Sequence, residues 1–175
     1  MKIALAIVVI VVTMLAGVAI AQESVPSLLR IAADKGVHQL GAGSETIFLY
    51  RFTRGGQRRD ALVLTPSVTF ETSPFRAASH HCVSLVAAMP FTLGDGATLS
   101  VSVKSARQSQ RVFQLDLDPA HVRADRAWLP IRFNLPAVRG DYTIVFEVTA
   151  GARGDQTGDW VGLSSGTDKS CLFGS

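Results

Sequence analysis

Between positions 47 and 163 the chain is a succession of short apolar or alternating segments, each closed by turn-forming residues, and nothing else in its 175 residues constrains the fold as strongly. The clearest segment sets Tyr142, Ile144, Phe146 and Val148 against Thr143, Val145, Glu147 and Thr149. A second sets Leu99, Val101 and Val103 against Ser100, Ser102 and Lys104. A period of two places successive side chains on opposite faces of a strand. Further strands are expected at 47–52, 61–64, 67–70, 82–89, 111–117, 128–135 and 160–163. In 111–117 Val112 is out of phase with Phe113, Leu115 and Leu117, and in 128–135 Pro130 argues for a sheet edge or an irregular start. Gly94-Asp95-Gly96, 105–109, Arg139-Gly140-Asp141 and 151–158 supply the turns. Eight or nine such strands, each with one apolar face, specify a β-sandwich or barrel. No βαβ alternation and no internal repeat is present.

The N-terminus reads differently. Lys2 is followed by an uncharged apolar run over 3–21 that ends in Ala19-Ile20-Ala21. That is the pattern of a secretory signal peptide cut after Ala21. The rival is an uncleaved membrane anchor, since nineteen apolar residues reach the lower edge of the roughly 17–25 that span a bilayer. No Cys lies near the cut, so a lipoprotein is not expected. Cleavage would remove Lys2 and lower the formal net charge from +3 to +2. The expected location is secreted or periplasmic. Residues 25–35 read as a short helix, with Pro26 in its first turn, Gly36 at its stop and Leu28, Leu29, Ile31 and Ala32 as its apolar stripe. The chain therefore divides into a signal peptide (1–21), a short helix and linker (22–44) and a β-domain (45–175).

So small a net charge does not suggest a nucleic-acid partner. The one local basic excess is Arg51, Arg54, Arg58 and Arg59 around Gly55-Gly56. It reads either as a solvated hairpin tip or as a contact for an anionic polymer or lipid head group, which planar guanidinium groups bind in a bidentate way. Cys82 and Cys171 are the only cysteines. In an oxidising compartment they are expected to pair, with two buried thiols or an intermolecular bridge as the alternatives. The bridge would clip Leu172 and Phe173 to the sandwich surface behind the polar stretch 167–170.

Other motifs are weaker. Gly162-Leu163-Ser164-Ser165-Gly166 matches G-x-S-x-G, but no helix pattern follows it, and His38, His80, His81 and His121 all precede it, which is wrong for a nucleophile elbow. In His80-His81-Cys82 the two histidines would point to opposite faces of a strand, so zinc is not expected. Asp116 and Asp118 share a strand face, and Asp155 and Asp159 flank a turn that could hold a structural calcium through oxygen ligands. No pair is marked as the two carboxylates of a glycoside hydrolase.

The stretches Leu115-Asp116-Leu117-Asp118-Pro119, Arg126-Ala127-Trp128, Phe133-Asn134-Leu135 and Gly158-Asp159-Trp160-Val161-Gly162 resemble the jelly-roll, galactose-binding-like domains of bacterial extracytoplasmic proteins. The segment Thr65-Pro66-Ser67-Val68-Thr69-Phe70 is similar to their entry strand. Some of those domains are carbohydrate-binding modules; others accompany membrane glycosyltransferases. The resemblance spans about 61–166. It implies an all-β, two-sheet antiparallel β-sandwich of jelly-roll type behind a short N-terminal helix. It also implies an exported, non-catalytic module whose partner is a cell-surface or extracellular glycan. An envelope structural or protein-interaction domain without a sugar site is the alternative, and a glycan-active hydrolase the third. Trp128 and Trp160 are expected to pack the sandwich or its rim.

Overall fold

The computed structural model describes residues 27–36, 46–76, 81–137, 139–151, 154 and 157–174. The apolar segment 3–21, Val25, Pro26, His80 and Asp155 lie outside the described residues. No helix among the described residues is long and apolar enough to cross a membrane. Helix α1 (Leu28–Asp34) buries Leu28, Ile31 and Ala32. It stops at Gly36, whose φ of 82° is the left-handed conformation that glycine adopts without penalty after a helix.

Ten strands follow. They are β1 (Ile47–Arg54), β2 (Gln57–Leu64), β3 (Val68–Glu71), β4 (Phe75–Arg76), β5 (Cys82–Ala88), β6 (Ala97–Ser105), β7 (Ser109–Leu117), β8 (Leu129–Asn134), β9 (Asp141–Ala150) and β10 (Val161–Ser165). One sheet has the order β1-β2-β10-β5-β8; the other has β3-β9-β6-β7, with β4 also pairing β9. All pairings between these strands are antiparallel. The chain crosses between the sheets at six of the nine connections between these strands, which is the jelly-roll arrangement expected from the sequence. Alternation directs Leu62, Leu85, Ile131 and Leu163 of the first sheet against Leu99, Val101, Ile144 and Phe146 of the second, with α1 contributing Leu28 and Ile31.

Two irregularities follow from residues already singled out. Pro130, which cannot donate to a ladder, lies in β8 at the sheet edge. The phase slip at Val112 is a bulge: Val101 pairs Phe113, whereas Ser102 pairs Arg111.

Cys82 and Cys171 form a disulfide within the chain, with 4.8 Å between their Cα atoms. The segment it holds is not clipped to the surface as expected. Leu172 forms a parallel bridge with Val83, its carbonyl accepting from the Ser84 N–H and its own N–H donating to the Cys82 carbonyl, both at 2.9 Å. Phe173 is fully buried, about 6 Å from the Phe75 and Phe146 rings. Burial of these two side chains contributes roughly 1.5–3 kcal/mol each, so hydrophobic packing and the covalent bridge hold the segment together.

Candidate functional site

β1 and β2 form a hairpin closed by Gly55 and Gly56 at φ 54° and 76°. Both central residues of this two-residue turn need positive φ, which glycine provides. The outer face of the first sheet beneath the hairpin is apolar. Phe48, Phe52, Ala61, Val63, Val86, Ala88 and Trp128 form a second buried cluster, separate from the core between the sheets. The hairpin covers it. The Phe52 ring lies over Gly162, where a Cβ would come within 2.7 Å of it. Trp128 stands 4.6 Å from Phe52 and its Nε1–H donates to the Gln57 carbonyl at 2.9 Å. Gly55 abuts Ala127.

This geometry assigns the four arginines of the hairpin. Strand pairing places Arg51, Arg58 and Asp60 on one face of the hairpin, and Phe52, Arg54 and Arg59 on the other. Arg51 grips Asp60 with two hydrogen bonds of 2.5 and 2.7 Å. The Arg51 hydrogen bond holds the Asp60 carboxyl below the usual carboxylate range. Arg54 donates from Nε to the Met89 carbonyl at 2.6 Å and from Nη2 to the Pro90 carbonyl. Arg59 donates to the Ser165 carbonyl and to Gln57 Oε1, both at 3.2 Å. Arg54 and Arg59 thus fasten the hairpin to its own protein, and Arg51 is neutralised. Arg58 is exposed at the tip.

Where this outer face meets the 89–96 loop, aromatic rings emerge into solvent. Trp160 sits edge-on to Phe48 at 5.4 Å and to Phe91 at 5.1 Å, and Tyr50 is 6.4 Å from Phe48. Tyr50 and Phe91 are 41% and 40% exposed, and Leu93 in the same loop is 78% exposed. Edge-to-face spacings of this kind are favourable between rings and fix their orientation. Trp128 is buried and Trp160 half-buried, the packing roles expected of them. Tyr50 and Phe91 are the exposed rings that sequence reasoning passed over. The signal was Phe48-x-Tyr50-x-Phe52, a row of aromatics on the face of β1 opposite Ile47 and Leu49.

Asp159 is fully buried beneath this ledge. Burial, and then the neighbouring Asp95 carboxyl, push it up to about 6, against the Gly151 N–H that its Oδ2 accepts at 3.3 Å. Its other oxygen, Oδ1, has no hydrogen-bond partner among the described residues. Among the described residues the carboxylate beside it is Asp95, and no group of three or more His, Cys, Asp or Glu among them could hold a metal ion. An open cavity of about 500 Å³ is lined by Asp95, Asp116, Asp118 and Asp125. Three of these acids have local tasks: Asp116 accepts from Thr98 Oγ1 at 2.6 Å, Asp118 accepts from the His121 N–H, and Asp125 accepts from the Asp118 N–H at 2.7 Å. Ser164 lies within β10, not at an elbow, and its hydroxyl donates to the Asp60 carbonyl. Cys82 has no free thiolate for zinc.

The outer face of the second sheet is open and polar. Cross-strand rows set Thr98 beside Asp116 and Thr149, and Ser100 beside Gln114 and Glu147, with Thr69 next to Glu147. No aromatic ring shares this face among the described residues.

No family model matches the chain, and no curated protein matches it. Several solved structures do. A family 6 carbohydrate-binding module shares 12% identity over 71% of this chain and 82% of its own, with a TM-score of 0.42. A glycoside hydrolase family 43 arabinoxylan arabinofuranohydrolase from Bacillus subtilis shares 15% identity over 66% of this chain and 23% of its own, with a TM-score of 0.43. The C-terminal family 6 module of a marine laminarinase from Zobellia galactanivorans shares 11% identity over 70% of this chain and 90% of its own, with a TM-score of 0.32.

Proposed function

We propose that the chain is an exported, non-catalytic binding module for a cell-surface or extracellular glycan, and that sugar rings stack on the ledge of Tyr50 and Phe91. The observation that carries this reading is that two aromatic rings remain about 40% exposed on a rigid support. Both are braced from behind, directly or through Phe48, by Trp160. Exposed apolar groups clustered in this way mark interaction sites. Aromatic faces offer a large apolar area at little entropic cost.

The Leu93 side chain, 78% exposed on the same ledge, favours the second reading, a protein-interaction domain of the envelope, because an aliphatic tip gives a sugar no flat face. Hydrolysis is third, since the acids lining the 500 Å³ cavity mostly serve turns and cross-strand pairs. A structural calcium at Asp155 and Asp159 belongs to the first reading. Its support is the buried Asp159 oxygen without a donor, and a rise in melting temperature with calcium over chelator would establish it. Membrane contact, in this reading, comes only through residues 3–21.

A glycan array probed with the wild-type protein and with Tyr50→Ala and Phe91→Ala tests the proposal. Retention of defined glycans, weakened about 10-fold or more in both variants at unchanged stability, is expected. An empty array removes the glycan reading in favour of the protein partner. Hydrolysis of a retained glycan, lost on Asp116→Asn, favours the enzyme.

A further inference from the structure

The acid-lined cavity surrounds the start of β6 at Ala97 and Thr98; the other end of that strand is basic. At Ser105 a pocket of about 390 Å³ opens between the β6–β7 turn and the β8–β9 loop. Arg107 lines it from the turn, and Arg139 from the loop. Neither guanidinium makes a hydrogen bond or ion pair among the described residues, in contrast to Arg51, Arg54 and Arg59 in the hairpin. The turn that carries Arg107 is braced by its own side chain: Ser105 Oγ donates to the Gln108 carbonyl at 3.3 Å and accepts from the Arg107 N–H at 3.4 Å. The neighbouring charges leave this end positive. Lys104 is neutralised by Glu71 at 3.1 Å, and Asp141 stands opposite Arg76 in the β4–β9 pair.

We propose that Arg107 and Arg139 form an anion-binding pocket for the charged oxyanion substituent, a uronate carboxylate or a sulfate ester, of an acidic polysaccharide. The proposal rests on the glycan reading above and narrows it to a substrate class. Guanidinium forks match carboxylate and sulfate oxygens in pairs, and unneutralised arginines in a concave site have their donors available for a ligand. Volumes of roughly 300 Å³ and above are those of small-molecule sites. A sugar ring carrying one such group fits that size.

The test titrates the exported protein with polygalacturonate, with its carboxyl-reduced neutral counterpart, with dextran and dextran sulfate, and with vesicles of anionic phospholipid. Tighter binding of an acidic polymer than of its neutral counterpart, by about 10-fold or more, is expected. That preference should weaken with salt and vanish in the Arg107→Gln/Arg139→Gln variant, while Arg58→Gln retains it. Both arginines are exposed, so the variant should keep the wild-type melting temperature. Polygalacturonate and dextran sulfate separate the two oxyanions. Equal binding of acidic and neutral polymers overturns this inference and leaves the glycan reading standing. Absence of all glycan binding overturns both. An acidic preference that survives the double substitution places the anion site elsewhere, and vesicle binding lost in the variant without polysaccharide binding makes the ligand a lipid head group.

Discussion

The outer faces of the two sheets are built from strands of the same kind and end up as opposites. On the second sheet the outward positions are mostly polar, among them Thr98, Ser100, Gln114, Asp116, Thr143 and Glu147. On the first sheet they include Phe48, Phe52, Val63 and Val86, and the β1–β2 hairpin folds over them with Trp128. A sandwich needs only one apolar face per sheet. A second apolar face requires its own cover, and here the cover comes from the sheet's own edge hairpin. The rings that the cover does not reach are the candidate ligand surface. Burial on one side of the molecule and exposure at its margin are therefore one construction.

The contrast breaks most directly at Trp128. Trp128→Ala should cost about 3–5 kcal/mol in denaturant unfolding, because it empties the second cluster and removes the donor to Gln57. A loss under about 1 kcal/mol would mean that the hairpin is no roof. Gly162→Ala comes next. The added methyl would meet the Phe52 ring at 2.7 Å, and overpacking of this kind costs about 1–3 kcal/mol.

Under the ledge, the pH dependence of stability sharpens the picture. The folded Asp159 carboxyl holds its proton up to about 6, above the ordinary value of 3.8. The folded state therefore binds that proton more tightly than the unfolded chain. Its contribution is fully present below about pH 3.8 and is lost as pH rises through about 6. In chelator, stability should gain from this group as pH falls from 7 toward 4, and Asp159→Asn should flatten the profile in that window. Asp60 has the opposite sign, and its exposed partnership with Arg51 makes its part small. The smallest effect belongs to the open face: Thr69→Ala should stay within about ±0.5 kcal/mol.

Much of this architecture was legible in the sequence. Period-two alternation located β6 and β9, apolar or aromatic runs located β1, β2 and β5, Gly55-Gly56 read as a hairpin tip, Pro130 as a sign of an edge and Val112 as out of phase. Those signals are local. The cover over the first sheet was not legible, because Phe48, Tyr50 and Phe52 read simply as strand-forming aromatics until the curl of the hairpin is known. The tasks of the arginine cluster were hidden for the same reason: its spacing showed a basic tip, but only strand register places Arg54 and Arg59 on the face of Phe52, within reach of backbone carbonyls. Arg107 and Arg139 are 32 positions apart and meet only through the packing of a turn beside a loop. Leu172 and Phe173 stood behind a polar stretch, and their place in the core depends on a parallel bridge to Val83 that no periodicity announces.

That last contact has a consequence for the order of events in the cell. Every strand of both sheets is in hand once residue 165 has emerged, yet the gap beside Phe75 and Phe146 stays open until Phe173 arrives. Closure of the interior thus waits for the final stretch of the domain, and the Cys82–Cys171 bridge locks what that arrival completes. A polypeptide built this way stays unlatched until its Leu172–Phe173 segment is at hand.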